Sequence, residues 1–103
     1  MKNNLLNIKN NVRNLITNGN ISGAINYLIN LSHNFSSQLK NDISIVSGCY
    51  KEYEYKYNLG TVEYDNTIFS KTAKALIDLL ENASEESIID LKKIFFSQYT
   101  LLS

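Results

Sequence analysis

Apolar residues recur every three or four positions along most of the chain, and this spacing predicts a string of amphipathic helices. The first predicted helix ends at Gly19, because glycine readily takes the left-handed conformation that terminates a helix. Asn20 is a candidate cap for a second helix over residues 21–31. No stretch shows the strict alternation of a half-buried strand, so the sequence predicts an all-α bundle.

The third predicted helix is the longest, from about residue 35 to residue 59, and it is expected to be the spine of the bundle. Its apolar positions alternate in steps of four and three, which is typical of a helix packed nearly parallel to a neighbour. They are Leu39, Ile43, Val46, Tyr50, Tyr53 and Tyr57. Gly60 is the predicted stop. Gly48 lies mid-helix, where we expect another helix to approach closely; a binding surface is the alternative.

Two further helices are predicted, which gives about five in a single domain over residues 1–103. Thr61 or Asp65 caps the fourth, and residues 82–85 resemble a capping box before a last helix over 84–99. Ile89 and Phe96 lie off the main apolar stripe of that last helix. A helix that is apolar around most of its circumference is buried on more than one side, either in the core or against a second molecule.

The charge balance excludes several classes of partner. Ten basic and ten acidic side chains cancel, whereas a nucleic-acid-binding protein or a polybasic membrane anchor needs a basic face. The predicted second helix has no Arg or Lys, which argues against a DNA-recognition helix. The sequence shows neither a transmembrane run nor a signal peptide, so we expect a cytoplasmic protein.

The sequence contains little that points to catalysis. Cys49 is the only cysteine and His33 the only histidine, and we expect Cys49 to be a buried, inert thiol. The four glycines are too far apart for a phosphate-binding loop, and no metal-ligand spacing is present. Glu52 and Glu54 alternate with lysines and tyrosines and indicate a solvated face. We therefore predict no enzymatic activity, no cofactor and no small-molecule substrate.

Tyrosines cluster toward the end of the long helix, and tyrosine is enriched at protein interfaces because it offers a large contact area with a polar tip. We expect Tyr50, Tyr53 and Tyr57 to fill the bundle seam and Tyr55 to lie on the surface. The predicted residues of an interface are Tyr53, Tyr55, Tyr57, Ile89, Phe96 and Tyr99, and those of turns and close packing are Gly19, Gly48 and Gly60.

Four segments resemble a known family. Residues 24–28 (AINYL), 43–50 (ISIVSGCY), 59–62 (LGTV) and 75–80 (ALIDLL) are similar to elements of the effector-associated domains of bacterial conflict systems, in particular the type numbered eleven. The resemblance covers residues 5–81 and leaves the last predicted helix outside. Residues 72–74 (TAK) depart from the Asn-x-Ile pattern that is usual in the family before its Ala-Leu element.

The resemblance implies a small helical adaptor that is used like the death-like domains of animal immunity. Such a domain pairs with itself or with a similar domain and couples a sensor to an effector in anti-phage or other conflict signalling. It carries no catalytic residues. The alternative is a small helical inhibitor or antitoxin that masks one effector protein. A closed dimer and an open, filament-forming assembly both remain compatible with homotypic pairing.

Overall fold

The computed structural model describes residues 3–63 and 65–88, and this part of the chain is an all-α bundle without named strands. Its α-helices are α1 (Asn3–Thr17), α2 (Ile21–Leu31), α3 (Ser37–Asn58) and α4 (Asn66–Glu81). Short 3-10 turns follow α2, at Ser32–Asn34, and α4, at Glu85–Ser87. With 22 residues, α3 is the longest helix in the described ranges. None of the helices described is long and apolar enough to cross a membrane.

The helix ends follow the local signals in the sequence. Gly19 and Gly60 have φ values of +76° and +75°, so both take the left-handed conformation predicted for them. The side chain of Asn20 accepts a hydrogen bond from a backbone N–H in the first turn of α2. Asp65, rather than Thr61, caps α4 in the same way. These caps satisfy donors that the helix itself leaves unpaired.

The core lies among α1, α2, the first half of α3 and the later turns of α4. Its buried apolar residues are Ile8, Val12, Ile21, Ala24, Ile25, Leu28, Phe35, Leu39, Ile43, Leu76 and Leu80. Polar contacts between helices surround it. Arg13 of α1 pairs with Glu81 of α4, and Ser22 Oγ of α2 donates a hydrogen bond to Glu54 Oε2 of α3 at 2.8 Å. Glu54 is half-buried, so the prediction of a fully solvated face is wrong at this residue.

The segment after α4 departs from the predicted capping box. Asn82 ends α4, with its backbone N–H bonded to carbonyls of that helix, and therefore does not begin another. The chain then makes a 3-10 turn, and Ile88 pairs with Phe35 in an isolated antiparallel bridge. The Ser36 N–H donates to the Ser87 carbonyl at 2.7 Å. The predicted helix over 84–99 does not start as expected, and its residues 89–99 lie outside the described residues.

Candidate interaction surfaces

Three tyrosines on one side of α3 form a continuous row of rings. The Tyr50 and Tyr53 ring centroids lie 6.4 Å apart, and those of Tyr53 and Tyr57 lie 6.2 Å apart with the planes 20° from parallel. Tyr50 packs partly against the core, and Tyr53 is half-buried. Tyr57 is exposed, so its predicted place in the bundle seam is wrong. The reason is that the core ends before the last turns of α3.

Tyr53 also positions the connection between α3 and α4. Its hydroxyl accepts a hydrogen bond from the Asp65 N–H at 2.7 Å and donates one to the Glu63 carbonyl at 3.4 Å. At the end of α3, the Thr61 hydroxyl donates to the Lys56 carbonyl at 2.9 Å. The turn is thus attached to the helix on two sides. Tyr53 therefore has a structural role in addition to any part in an interface.

Large apolar side chains gather at this end of α3 and form what we call the tyrosine tip: Tyr55, Tyr57, Leu59 and Val62. Tyr55 is 66% exposed, Tyr57 45% and Leu59 58%. Tyr55 and Leu59 are one helical turn apart and share a side of the helix. Sequence reasoning missed Leu59 and Val62 as surface residues. Their exposure could have been inferred from the sequence, because they lie on either side of the helix-ending Gly60 and after the last aliphatic residue of the predicted seam.

The middle of α3 presents an open face, contrary to prediction. A Cβ built on Gly48 would meet no described atom within 4 Å, so the expected close approach of another helix is not found. Cys49 is exposed and is not the buried thiol that was predicted. Gly48 and Cys49 are both exposed in the part of the chain that the structure describes. Ile45 of the same face is also exposed.

A groove runs between the first half of α3 and the second half of α4, and we call it the α3–α4 groove. It has a volume of about 390 Å³. Its floor and walls include Ile45 and Val46 of α3 and Leu79 of α4, and its polar margin includes Asp42 and Asp78. The side chain of Gln38, at one end, donates to Asp42 Oδ1 at 3.0 Å. No pattern in the sequence had indicated this groove, since its lining comes from two distant segments.

Comparison with known proteins gives one result that decides the family. Residues 7–84 match the family described as effector-associated domain 11. The chain belongs to this family. No curated protein and no solved structure matches it. Membership of the effector-associated domain family supports an adaptor-type role associated with effector proteins, and the family is not a known catalytic one.

The tyrosine tip and nearly all described residues of the groove lie within the part of the chain that matches effector-associated domain 11. The match ends before Ile88. The predicted interface residues Ile89, Phe96 and Tyr99 lie outside the described residues. His33 is exposed in the 3-10 turn after α2. Within residues 3–63 and 65–88, no three His, Cys, Asp or Glu side chains are grouped so that they could hold a metal ion.

Proposed function

We propose that this effector-associated domain is a non-catalytic adaptor that binds a second copy of itself or a related domain on an effector or sensor protein. In this role it couples sensing to effector activation in bacterial anti-phage or other conflict signalling, in the manner of a death-like domain. The observation that carries the proposal is the tyrosine tip, a set of exposed apolar side chains within a family associated with effectors.

The composition of the tip suits a protein partner. Exposed tyrosines contribute large, rigid contact areas. Their hydroxyl groups are hydrated when no partner is bound, so the unbound domain stays soluble. The tip is flanked by a Glu52–Lys56 ion pair with an N–O distance of 3.2 Å, which gives it a polar rim. An apolar centre with a charged margin is the usual organisation of a protein–protein interface.

Several finer features belong to the same proposal. The sequence pattern predicts a last helix over residues 84–99 and about five helices in all. Phe96 and Tyr99 of that helix would add to the association surface. The adaptor would work in the cytoplasm, without nucleic acid, membrane or small-molecule ligands. Each of these features rests on the sequence pattern described above.

A binding measurement with matched variants tests the proposed function. The full chain is immobilised and titrated with itself and with a second effector-associated domain 11 carried by an effector protein. The double variant Tyr55→Ser/Leu59→Ser should weaken binding about tenfold or more, because it removes two apolar contacts from the tip. The control Leu6→Ser removes an exposed aliphatic side chain from α1 and should leave binding unchanged.

Two outcomes would contradict the proposal. One is the absence of binding to either partner at high micromolar concentration. The other is binding of equal strength by the tip variant and the control, which would place the interface elsewhere. Capture of one unrelated effector, with inhibition of that effector and no self-association, would instead favour the inhibitor or antitoxin alternative.

A further inference from the structure

We propose that Tyr53 is a positioning residue for the tyrosine tip, and that its hydroxyl holds Val62 in the place where a partner domain contacts it. The proposal rests on the proposed function, because it requires the tip to be a binding surface. It deepens that function by assigning the control of the tip's affinity to a half-buried residue beside the exposed side chains.

Val62 lies in the connection between α3 and α4, where no helix fixes its backbone, and the residues on either side of it are both attached to α3. On one side, Thr61 donates its N–H and its hydroxyl to the Lys56 carbonyl, at 3.0 and 2.9 Å. On the other side, the Glu63 carbonyl accepts a hydrogen bond from the Tyr53 hydroxyl at 3.4 Å. The position of Val62 relative to α3 therefore depends on two attachments.

The two attachments differ in kind. The one at Thr61 belongs to the helix end itself, where Gly60 takes the left-handed conformation and backbone N–H groups bond back to α3. The other depends on a single side-chain atom, the hydroxyl oxygen of Tyr53. This oxygen accepts from the Asp65 N–H at 2.7 Å and bonds to the Glu63 carbonyl. Removing it should release one side of the connection and leave the other in place.

The ring of Tyr53 is fixed by its neighbours, so its hydroxyl has a defined place. The ring centroid lies 6.4 Å from that of Tyr50, which packs against the core, and 6.2 Å from that of Tyr57. A hydroxyl on a ring held in this way restrains the backbone groups to which it bonds. Tyr53→Phe keeps the ring and removes the hydroxyl, so this variant tests the hydroxyl alone.

The expected consequence is a change in affinity. A surface that already has its bound conformation avoids the cost of ordering when the partner arrives. Without the Tyr53 hydroxyl, Val62 has the right position in only a fraction of the molecules, and the apparent affinity falls by that fraction. We expect Tyr53→Phe to raise the Kd about three- to tenfold, the effect of losing one modest restraint.

The binding measurement is made with full-length chains. The wild-type chain, or the effector-associated domain 11 of an effector protein, is immobilised and titrated with each variant. Tyr27→Phe is the matched control, because its hydroxyl also accepts a hydrogen bond, from Asn11 Nδ2 at 2.9 Å, but joins α1 to α2 and contacts no tip residue in the described part of the chain. Circular dichroism confirms that both variants are folded. An unchanged Kd for Tyr53→Phe would overturn the proposal, as would an equal rise in the control.

A double-mutant cycle distinguishes positioning of Val62 from a general effect on the domain. In a Val62→Ser background, Tyr53→Phe should weaken binding by less than about twofold, because the side chain that it positions is already absent. In a Leu59→Ser background the full effect should remain, because the Leu59 N–H bonds to the Tyr55 carbonyl at 3.0 Å and is held by the helix. The full effect in the Val62→Ser background would overturn the proposal.

Amide hydrogen exchange, measured by NMR on the unbound protein, tests the restraint itself. In Tyr53→Phe the Asp65 N–H should exchange faster, whereas exchange of the Thr61 N–H should not change. Equal exchange at Asp65 in the variant and the wild type would overturn the proposal. If the wild type binds neither partner, the adaptor function fails and this proposal fails with it. If Tyr55→Ser/Leu59→Ser weakens binding and Tyr53→Phe does not, only this proposal fails.

Discussion

The two halves of α3 use the same seam spacing with different residues and reach different degrees of burial. In the first half Leu39 and Ile43 are 3% and 1% exposed and lie within the core. In the second half Tyr53 is half-buried and Tyr57 is exposed. The spacing of apolar positions alone does not distinguish the two halves. The change from aliphatic residues to tyrosine distinguishes them, because the tyrosine hydroxyl can be hydrated where the core no longer covers the helix.

The two halves of α3 therefore have different roles. The first half holds the bundle together through aliphatic side chains from α2 and α4 that surround it. The second half extends beyond these side chains and exposes Tyr55 and Tyr57, and Leu59 and Val62 are exposed just after the helix ends. The buried aliphatic residues that stabilise the bundle are therefore concentrated at one end of α3, and the tyrosine tip lies at the other. A mutation at each end should reveal the difference.

The largest expected effect is a loss of stability at the core end. Ile43→Ala should lower the free energy of unfolding by about 2–5 kcal/mol, because it leaves a cavity where the side chain is fully enclosed. Tyr57→Ala, at the exposed end, should cost clearly less. Urea denaturation followed by circular dichroism, at a concentration low enough to keep the chains apart, measures both. Equal losses for the two variants would contradict the division of α3 proposed here.

A smaller effect is expected where the tyrosine row holds the turn. Tyr53→Phe keeps the ring and removes the hydroxyl that bonds to the Asp65 N–H and the Glu63 carbonyl. The free energy of unfolding should fall by about 0.5–1.5 kcal/mol, the usual net value of an intramolecular hydrogen bond. Tyr55→Phe is the matched control and should change it by less than about 0.5 kcal/mol, as an exposed surface substitution. A loss in the control as large as in Tyr53→Phe would show that the hydroxyl contacts of Tyr53 are not what holds the turn.

Most of the correct predictions about the fold came from local sequence signals at the ends of helices. Gly19, Gly60, Asn20 and Asp65 mark helix ends through backbone conformation and capping, which depend on neighbouring residues alone. The family resemblance was likewise confirmed, over residues 7–84. The prediction went wrong at Asn82, where the same residue type can cap either end of a helix and tertiary contacts decide the choice.

The surfaces were harder to predict because they depend on where the core stops. Gly48 and Cys49 are exposed because no described element covers them, and Tyr57 is exposed because the core ends before the last turns of α3; no local pattern encodes either outcome. The α3–α4 groove is lined by residues of two segments that are distant in the sequence, so only the packing of the two helices reveals it. The interface roles of Ile89, Phe96 and Tyr99 stay predictions.

The smallest expected effect concerns the open face in the middle of α3. Gly48→Ala should raise the free energy of unfolding by about 0.5–1 kcal/mol, because alanine favours helix and the added methyl group meets no described atom. Thermal unfolding of the dilute protein measures the gain. A loss of stability would contradict the open face. A gain accompanied by weaker association would place Gly48 at an interface, which was the alternative expectation for this glycine.

The central claim is that this domain associates with a second copy of itself or with a related domain. Multi-angle light scattering of the full chain tests this claim most directly. Over a concentration series, the weight-average mass should rise above the monomer value of 11.7 kDa, for the chain alone or when mixed with a second effector-associated domain 11. A plateau at twice that value indicates a closed dimer, and continued growth indicates an open assembly. A mass of 11.7 kDa at every concentration, with no complex in the mixture, would contradict the account.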